Sequence, residues 1–338
     1  MSRIGPFEGG ATSDRAGRRS MLRVVMLGVA LTVTPAVAQD FPSRAITIVV
    51  PFPPGGQADT LTRLVAAEMS VRLSQPVLVD NRSGAGGAVG TASVAQARPD
   101  GYTLVYSSSG TMVVLPATNS KLPYDADKSL TPVGEMFDIA MMLVSRKDLP
   151  ASTLLDVVTA AKAAPGKFTI GNTGVGALAH LVSEYFRTTT STDLLHVPYR
   201  GDGPQTAALV NGEVDLGIVS VLAGSGFVRS GEIKAIAMLG TERVQSMPNI
   251  PTVAESGYPG FKAGTFGGLH APAGTPPAVV AQLQGAMAAA VAKPEIRDRI
   301  LASACLPVGS TPAQYALRIA EERTLWGGII QRLNIKLE

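Results

Sequence analysis

The strongest constraint on this chain is a repeated junction: a β-branched run, then a glycine-rich break, then a helical pattern. Ala45-Ile46-Thr47-Ile48-Val49-Val50 reads as a buried strand. Pro51 to Gly56 interrupts it, and from Asp59 apolar residues recur at helical spacing through Met69. The same sequence of events follows Tyr102–Tyr106, through Ser107–Thr111, and Phe168–Ile170, through Gly171–Gly176, with a helix from Ala177 to Phe186. Strands alternating with helices specify an α/β chain with a parallel sheet. Further strands are expected at Pro76–Val79, Ala140–Val144, Leu194–Val197, Val214–Val219 and Ile233–Leu239, with helices at Thr91–Ala97, Thr153–Ala164 and Gln205–Asn211. The C-terminal part, from Pro276 onward, reads as three helices opened by Pro276-Pro277, Pro294 and Thr311-Pro312.

Charge separates the N-terminus from the rest. The 338 residues carry 29 Lys+Arg and 26 Asp+Glu, a net +3. Residues 1–38 hold five of the arginines and two of the acids, so the remainder balances at zero. Arg18-Arg19-Ser20-Met21-Leu22-Arg23 precedes the apolar run Val24–Val33 and then Ala36-Val37-Ala38. A basic segment, a short apolar core and an A-x-A site have the form of a secretory signal peptide, cleaved after Ala38. The arginine pair has a twin-arginine look, which a start at Met21 would remove. The expectation is an exported, periplasmic protein. A neutral remainder with 16% charged residues in the whole chain argues against a nucleic-acid binder. Cys305 is the only cysteine, so neither an intrachain disulfide nor a cysteine metal cluster can form. No metal or other cofactor is expected.

Ligands of open α/β sheets bind beyond the carboxyl ends of strands, where helix N-termini favour anions. The three junctions therefore supply the candidate binding residues: Phe52, Pro53, Pro54, Gly55, Gly56 and Asp59; Ser108, Ser109, Gly110 and Thr111; Asn172, Thr173, Gly174, Gly176 and Ala177. None of the three loops contains Lys or Arg. Asp59 reads equally as a cap of the first helix. Gly84 to Gly90 and Gly171 to Gly176 fail the dinucleotide fingerprint, and neither carries a P-loop lysine. No G-x-S-x-G elbow occurs. The rival reading is an exported hydrolase using Ser108 or Ser109 with His180 or His196. His180, His196 and His270 read as structural, Cys305 as a small buried hydrophobe, and Trp326 as core.

Longer motifs add a resemblance. Pro51-Phe52-Pro53-Pro54-Gly55-Gly56-x-x-Asp59, Asn81-Arg82-x-Gly84-Ala85-Gly86-Gly87 and Pro99-Asp100-Gly101-Tyr102-Thr103-Leu104 resemble the Bug family, the TctC-like substrate-binding proteins of tripartite tricarboxylate transporters. So do Leu122-Pro123-Tyr124-Asp125, His196 to Gly201, Pro251 to Gly257 and Ala271 to Pro276. The set runs in order along the whole chain after the leader. It implies a type II periplasmic binding protein: two α/β lobes with a ligand cleft between them, lobe 1 from 39–137 and 261–338, lobe 2 from 138–260. It implies a small organic carboxylate held by backbone N–H groups and water, with no catalysis, for uptake by membrane transporter subunits or for sensing. A monomer is expected. The resemblance also brings Val219 into the site, because the family's strand usually ends there in an Asp-Asn pair. Here the pair is Val219-Ser220, Ala177-Leu178 replaces a hydroxyl residue, and an aromatic pair is reduced to Phe266-Gly267. These departures suggest a second-lobe wall poor in polar groups, suited to a monocarboxylate or a carboxylate with an apolar far end.

Overall fold

The computed structural model describes residue 5 and residues 41–174, 177–199 and 201–333. The expected leader, apart from Gly5, its cleavage point after Ala38 and the loop residue Gly176 lie outside the described residues.

From residue 41 onward the chain forms one compact unit built on two sheets. The first sheet takes β1 (Ile46–Val50), β2 (Val77–Asn81), β3 (Thr103–Ser108), β4 (Leu130–Ile139), β10 (Thr265–Pro272) and β11 (Cys305–Pro307), in spatial order β11-β4-β10-β3-β1-β2. The second takes β5 (Met141–Arg146), β6 (Phe168–Asn172), β7 (Leu194–Pro198), β8 (Leu216–Ser220) and β9 (Ile233–Met238), in order β7-β6-β8-β5-β9. Each sheet is the centre of one lobe. Chain passage between them is short at Ile139–Met141 and returns between β9 and β10.

The sheets are mixed, where the sequence suggests parallel ones. β1 runs parallel to β2 and β3, and β6 parallel to β7 and β8. β10 is antiparallel to both β3 and β4, and β5 antiparallel to β8 and β9. The antiparallel strands include those that enter each sheet from the other lobe. β4 and β10 do not read as strands in the sequence, because Pro132, Gly134, Gly267 and Gly268 break their apolar alternation. Packing explains those glycines. A Cβ on Gly134 would sit 2.5 Å from the Ser310 carbonyl, and one on Gly268 would sit 2.4 Å from the Tyr315 ring. At Gly267 a Cβ would lie 2.2 Å from the Phe137 ring, which leaves no room for a larger residue there.

Helices cover the sheets. α1 (Gln57–Leu73) and α8 (Pro277–Ala292) pack on the first, α4 (Leu154–Ala163) and α5 (Leu178–Thr190) belong to the second. α4 opens with a capping box, Thr153 Oγ1 accepting from Asp156 N at 3.2 Å while Asp156 Oδ2 accepts from Thr153 N at 2.9 Å. The last helix, α10 (Pro312–Leu333), touches both lobes: it lies on β4 and contacts α5. Tyr185 stacks on Phe261 at 4.5 Å and meets buried Trp326 edge-on. Cys305 is buried on β11, takes a hydrogen bond from Gln57 Nε2 at 3.0 Å, and burial pushes its thiol up to about 12. Among the described residues, no helix is long and apolar enough to cross a membrane.

A second buried feature sits where α10 meets β4. Glu135 and Asp138 of β4 face Arg318 and Glu322 of α10, with Lys262 nearby. Arg318 Nη2 pairs with Glu322 Oε1 at 3.0 Å and lies 3.7 Å from Asp138 Oδ1. Burial first, then the charge of Asp138, raises the Glu135 carboxyl to about 7. Burial likewise raises Glu322 to about 7, against the pull of Arg318. One guanidinium is too little for three carboxylates out of water.

Candidate functional site

Between the lobes lies a cleft of about 700 Å³, within the range of small-molecule sites. From the first lobe it is lined by the β1–α1 loop (Phe52, Pro53, Pro54, Gly56, Gln57, Ala58), by Tyr106, Ser108 and Gly110 at the end of β3, and by Thr265. Ile139 and Met141 form its floor at the crossing. The second lobe contributes Thr173, Leu178, Ala179, Gly201, Asp202 and Ser220. Among these residues there is no Lys, Arg or His.

The β1–α1 loop is held in shape by Asp59. Its Oδ2 accepts from Gly55 N at 2.9 Å, and its Oδ1 accepts from Arg63 Nε and Asn81 Nδ2, each at 2.9 Å. Asn81 Nδ2 also donates to the Phe52 carbonyl at 3.1 Å. Burial opposes ionisation of Asp59, but the Gly55 N–H, Arg63 and Asn81 together hold its carboxyl below the ordinary value. Asp59 is thus spent on the loop and is turned from the cleft. Gly55 has φ +81°, in the left-handed region that glycine adopts without strain. Gly56 is the N-cap of α1 and supplies no side-chain cap, so the first N–H groups of α1 remain for a ligand.

At the β3 junction, Ser108 and Gly110 line the cleft, while Ser109 and Thr111 are fully buried beneath it. Thr111 Oγ1 accepts from Ser108 N at 3.1 Å. Ser109 Oγ accepts from Thr265 Oγ1 at 3.1 Å. In the second lobe, Thr173 reaches the cleft. Asn172 is buried, and its Oδ1 fixes the loop by accepting from Gly174 N at 3.1 Å. Gly174 needs its φ of +129° for that turn. Ala177 is the N-cap of α5 without a side-chain cap, which points the helix start, Leu178 and Ala179, at the cleft. Val219 is fully buried in the core under α7 (Val221–Arg229), and its side chain is not among the residues that line the cleft.

Sequence reasoning missed two polar groups of the second-lobe wall. Ser220, the N-cap of α7, accepts from Ala223 N at 3.2 Å and lines the cleft. Asp202 begins α6 (Asp202–Val210), beside Ser220, with Oδ2 3.5 Å from Ser220 Oγ. Burial raises the Asp202 carboxyl above its ordinary value, opposed by the Ser220 hydroxyl. The wall is therefore more polar than Val219-Ser220 and Ala177-Leu178 suggest. No local signal marks Asp202, since an acid at a helix start is ordinary.

The histidines lie elsewhere. His270 is buried in the first sheet, where Ser107 Oγ bonds its Nδ1 at 2.7 Å and Tyr315 Oη at 2.9 Å. Burial lowers His270 to about 3, so it is neutral. His196 Nε2 is 2.7 Å from Glu184 Oε1, and the His180 ring packs edge-on against His196 at 5.0 Å. Ligand atoms of His180, Glu184 and His196 lie within 4.8 Å of one another, a spacing that a metal ion could bridge. Arg187 Nε already binds Glu184 Oε2 at 3.1 Å. This geometry does not support a hydrolase built on Ser108 or Ser109.

Comparison with known proteins agrees with the geometry. The profile of the tripartite tricarboxylate transporter family receptor (TctC) matches residues 61–335. The chain is 34% identical to protein BugT of Bordetella pertussis over 315 residues, covering 93% of this chain and 97% of BugT. The periplasmic binding protein BugD superposes with a TM-score of 0.75 at 30% identity, over 88% of this chain and 100% of BugD. Rpa4515 of R. palustris, solved with adipate, superposes with a TM-score of 0.78 at 30% identity, over 88% of this chain and 99% of that one.

Proposed function

The chain belongs to the TctC family of tripartite tricarboxylate transporter receptors, which are periplasmic solute-binding proteins, and from that premise we propose that it captures one small organic carboxylate between its lobes. The ligand carboxylate meets the N-terminus of α1 and the Ser108–Gly110 turn. Contacts to both lobes favour the closed arrangement, so binding draws the lobes together. We assign lobe 1 to 39–137 and 261–338 and lobe 2 to 138–260, with residues 1–38 as a leader removed after Ala38. The mature protein acts in the periplasm as a monomer and hands its ligand to membrane transporter subunits. It performs no covalent chemistry.

The observation that carries this reading is the meeting of three strand-to-helix junctions in one cleft with no cationic side chain among the described residues that line it. Adipate in Rpa4515 supports the ligand class. The test is a thermal-shift screen of the mature protein against mono-, di- and tricarboxylates. Ligand at a hundred times its Kd adds about 2.7 kcal/mol to stability. Absence of a shift with every carboxylate would refute the proposal.

A further inference from the structure

The cleft is electrically lopsided. Its first-lobe side offers donors: the uncapped start of α1 and the turn around Gly110. Its second-lobe side carries Asp202, the one charged group among the described residues lining the cleft. An ionised carboxylate accepts about four hydrogen bonds. Among the described residues, the hydrogen-bond partner of the Asp202 side chain is Ser220 Oγ, at 3.5 Å. Ser220 Oγ is itself held by Ala223 N, which leaves the hydroxyl proton free to serve Asp202 or a ligand. A half-buried carboxylate with so little satisfaction gains much from a donor brought by a ligand. A second ligand carboxylate in the same place would meet like charge.

Resting on the proposed function, we propose that Asp202, assisted by Ser220, determines specificity at the far end of the solute. The ligand is then a carboxylate whose other end bears a hydrogen-bond donor, an ammonium or hydroxyl group, and not a plain dicarboxylate. Burial, which raises the Asp202 carboxyl, works in the same direction, because a donor relieves the unfavourable ionised form. An acid that merely complements the α6 dipole would be indifferent to what the cleft holds.

The test is calorimetry at pH 7.5 on the mature protein, Asp202→Asn and Ser220→Ala. The probes are straight-chain acids of three to seven carbons in four matched forms: unsubstituted, ω-hydroxy, ω-amino and dicarboxylic. Circular dichroism first establishes that each variant is folded. In the wild type, the ω-amino or ω-hydroxy acid of the best length should bind at least tenfold tighter than its unsubstituted and dicarboxylic counterparts. Asp202→Asn should erase that preference and improve dicarboxylate binding at least tenfold, and Ser220→Ala should weaken the preference. Tight dicarboxylate binding by the wild type, or an unchanged ranking in Asp202→Asn, overturns the assignment while leaving carboxylate capture intact. Failure of every acid in all three proteins overturns both.

Discussion

Glu135→Gln is expected to stabilise the protein at alkaline pH and to leave it nearly unchanged under mild acid. Glu135 is buried on β4, and the neighbouring Asp138 and Glu322 outweigh the help of Arg318 and Lys262. Its carboxyl is raised from 4.5 to about 7. The folded protein therefore holds the proton more tightly than the unfolded chain. That contribution is fully present below pH 4.5 and is lost as pH rises through about 7. At about 1.4 kcal/mol per tenfold change, the loss reaches about 3 kcal/mol above pH 8. Glutamine has similar shape and never ionises, so the variant escapes the loss. The assay is thermal unfolding of both proteins from pH 5 to pH 9. Curves within about 1–2 °C of each other at pH 5 that separate by about 5 °C at pH 8 are expected. A variant less stable than the wild type at pH 8 would refute the reasoning, because Glu135 would then be gaining more from Arg318 than it loses by burial.

Two further outcomes follow from geometry. Ser107→Ala removes the hydroxyl shared by His270 Nδ1 and Tyr315 Oη, and should lower stability in denaturant by about 1–3 kcal/mol. Its carboxylate affinity should stay within about twofold, as this network lies behind the cleft; a large loss of affinity would place Ser107 in the site. Thr153→Ala breaks the capping box of α4 and should cost about 1 kcal/mol, read as faster amide exchange in the first turn of α4.

Much of the fold was legible because β-branched runs such as Ile46–Val50 state their structure locally. β4 and β10 were not, because their glycines answer to Ser310, Phe137 and Tyr315, far away in sequence. The site divides in the same way. Phe52, Pro53, Pro54, Gly56, Ser108 and Gly110, which line the cleft, stand out from strand-to-helix junctions alone. Tyr106, Ile139, Met141 and Thr265 lie on or beside strands, and alternation does not say which strand face meets a cleft. Asp59 has the residue type expected at a ligand, yet Arg63 and Asn81 claim it for the loop. Asp202 and Ser220 acquire meaning only when α6 and α7 start side by side.

The strand order of the first sheet sets a timetable for the chain. β10 lies between β3 and β4, so these two cannot be joined until residues 265–272 have been made. All five strands of the second sheet are complete by Met238. A chain emerging from its N-terminus can therefore assemble the second lobe while the first still waits with open strand edges. Those edges are a natural place for a chaperone to act, and for a stalled or truncated chain to aggregate.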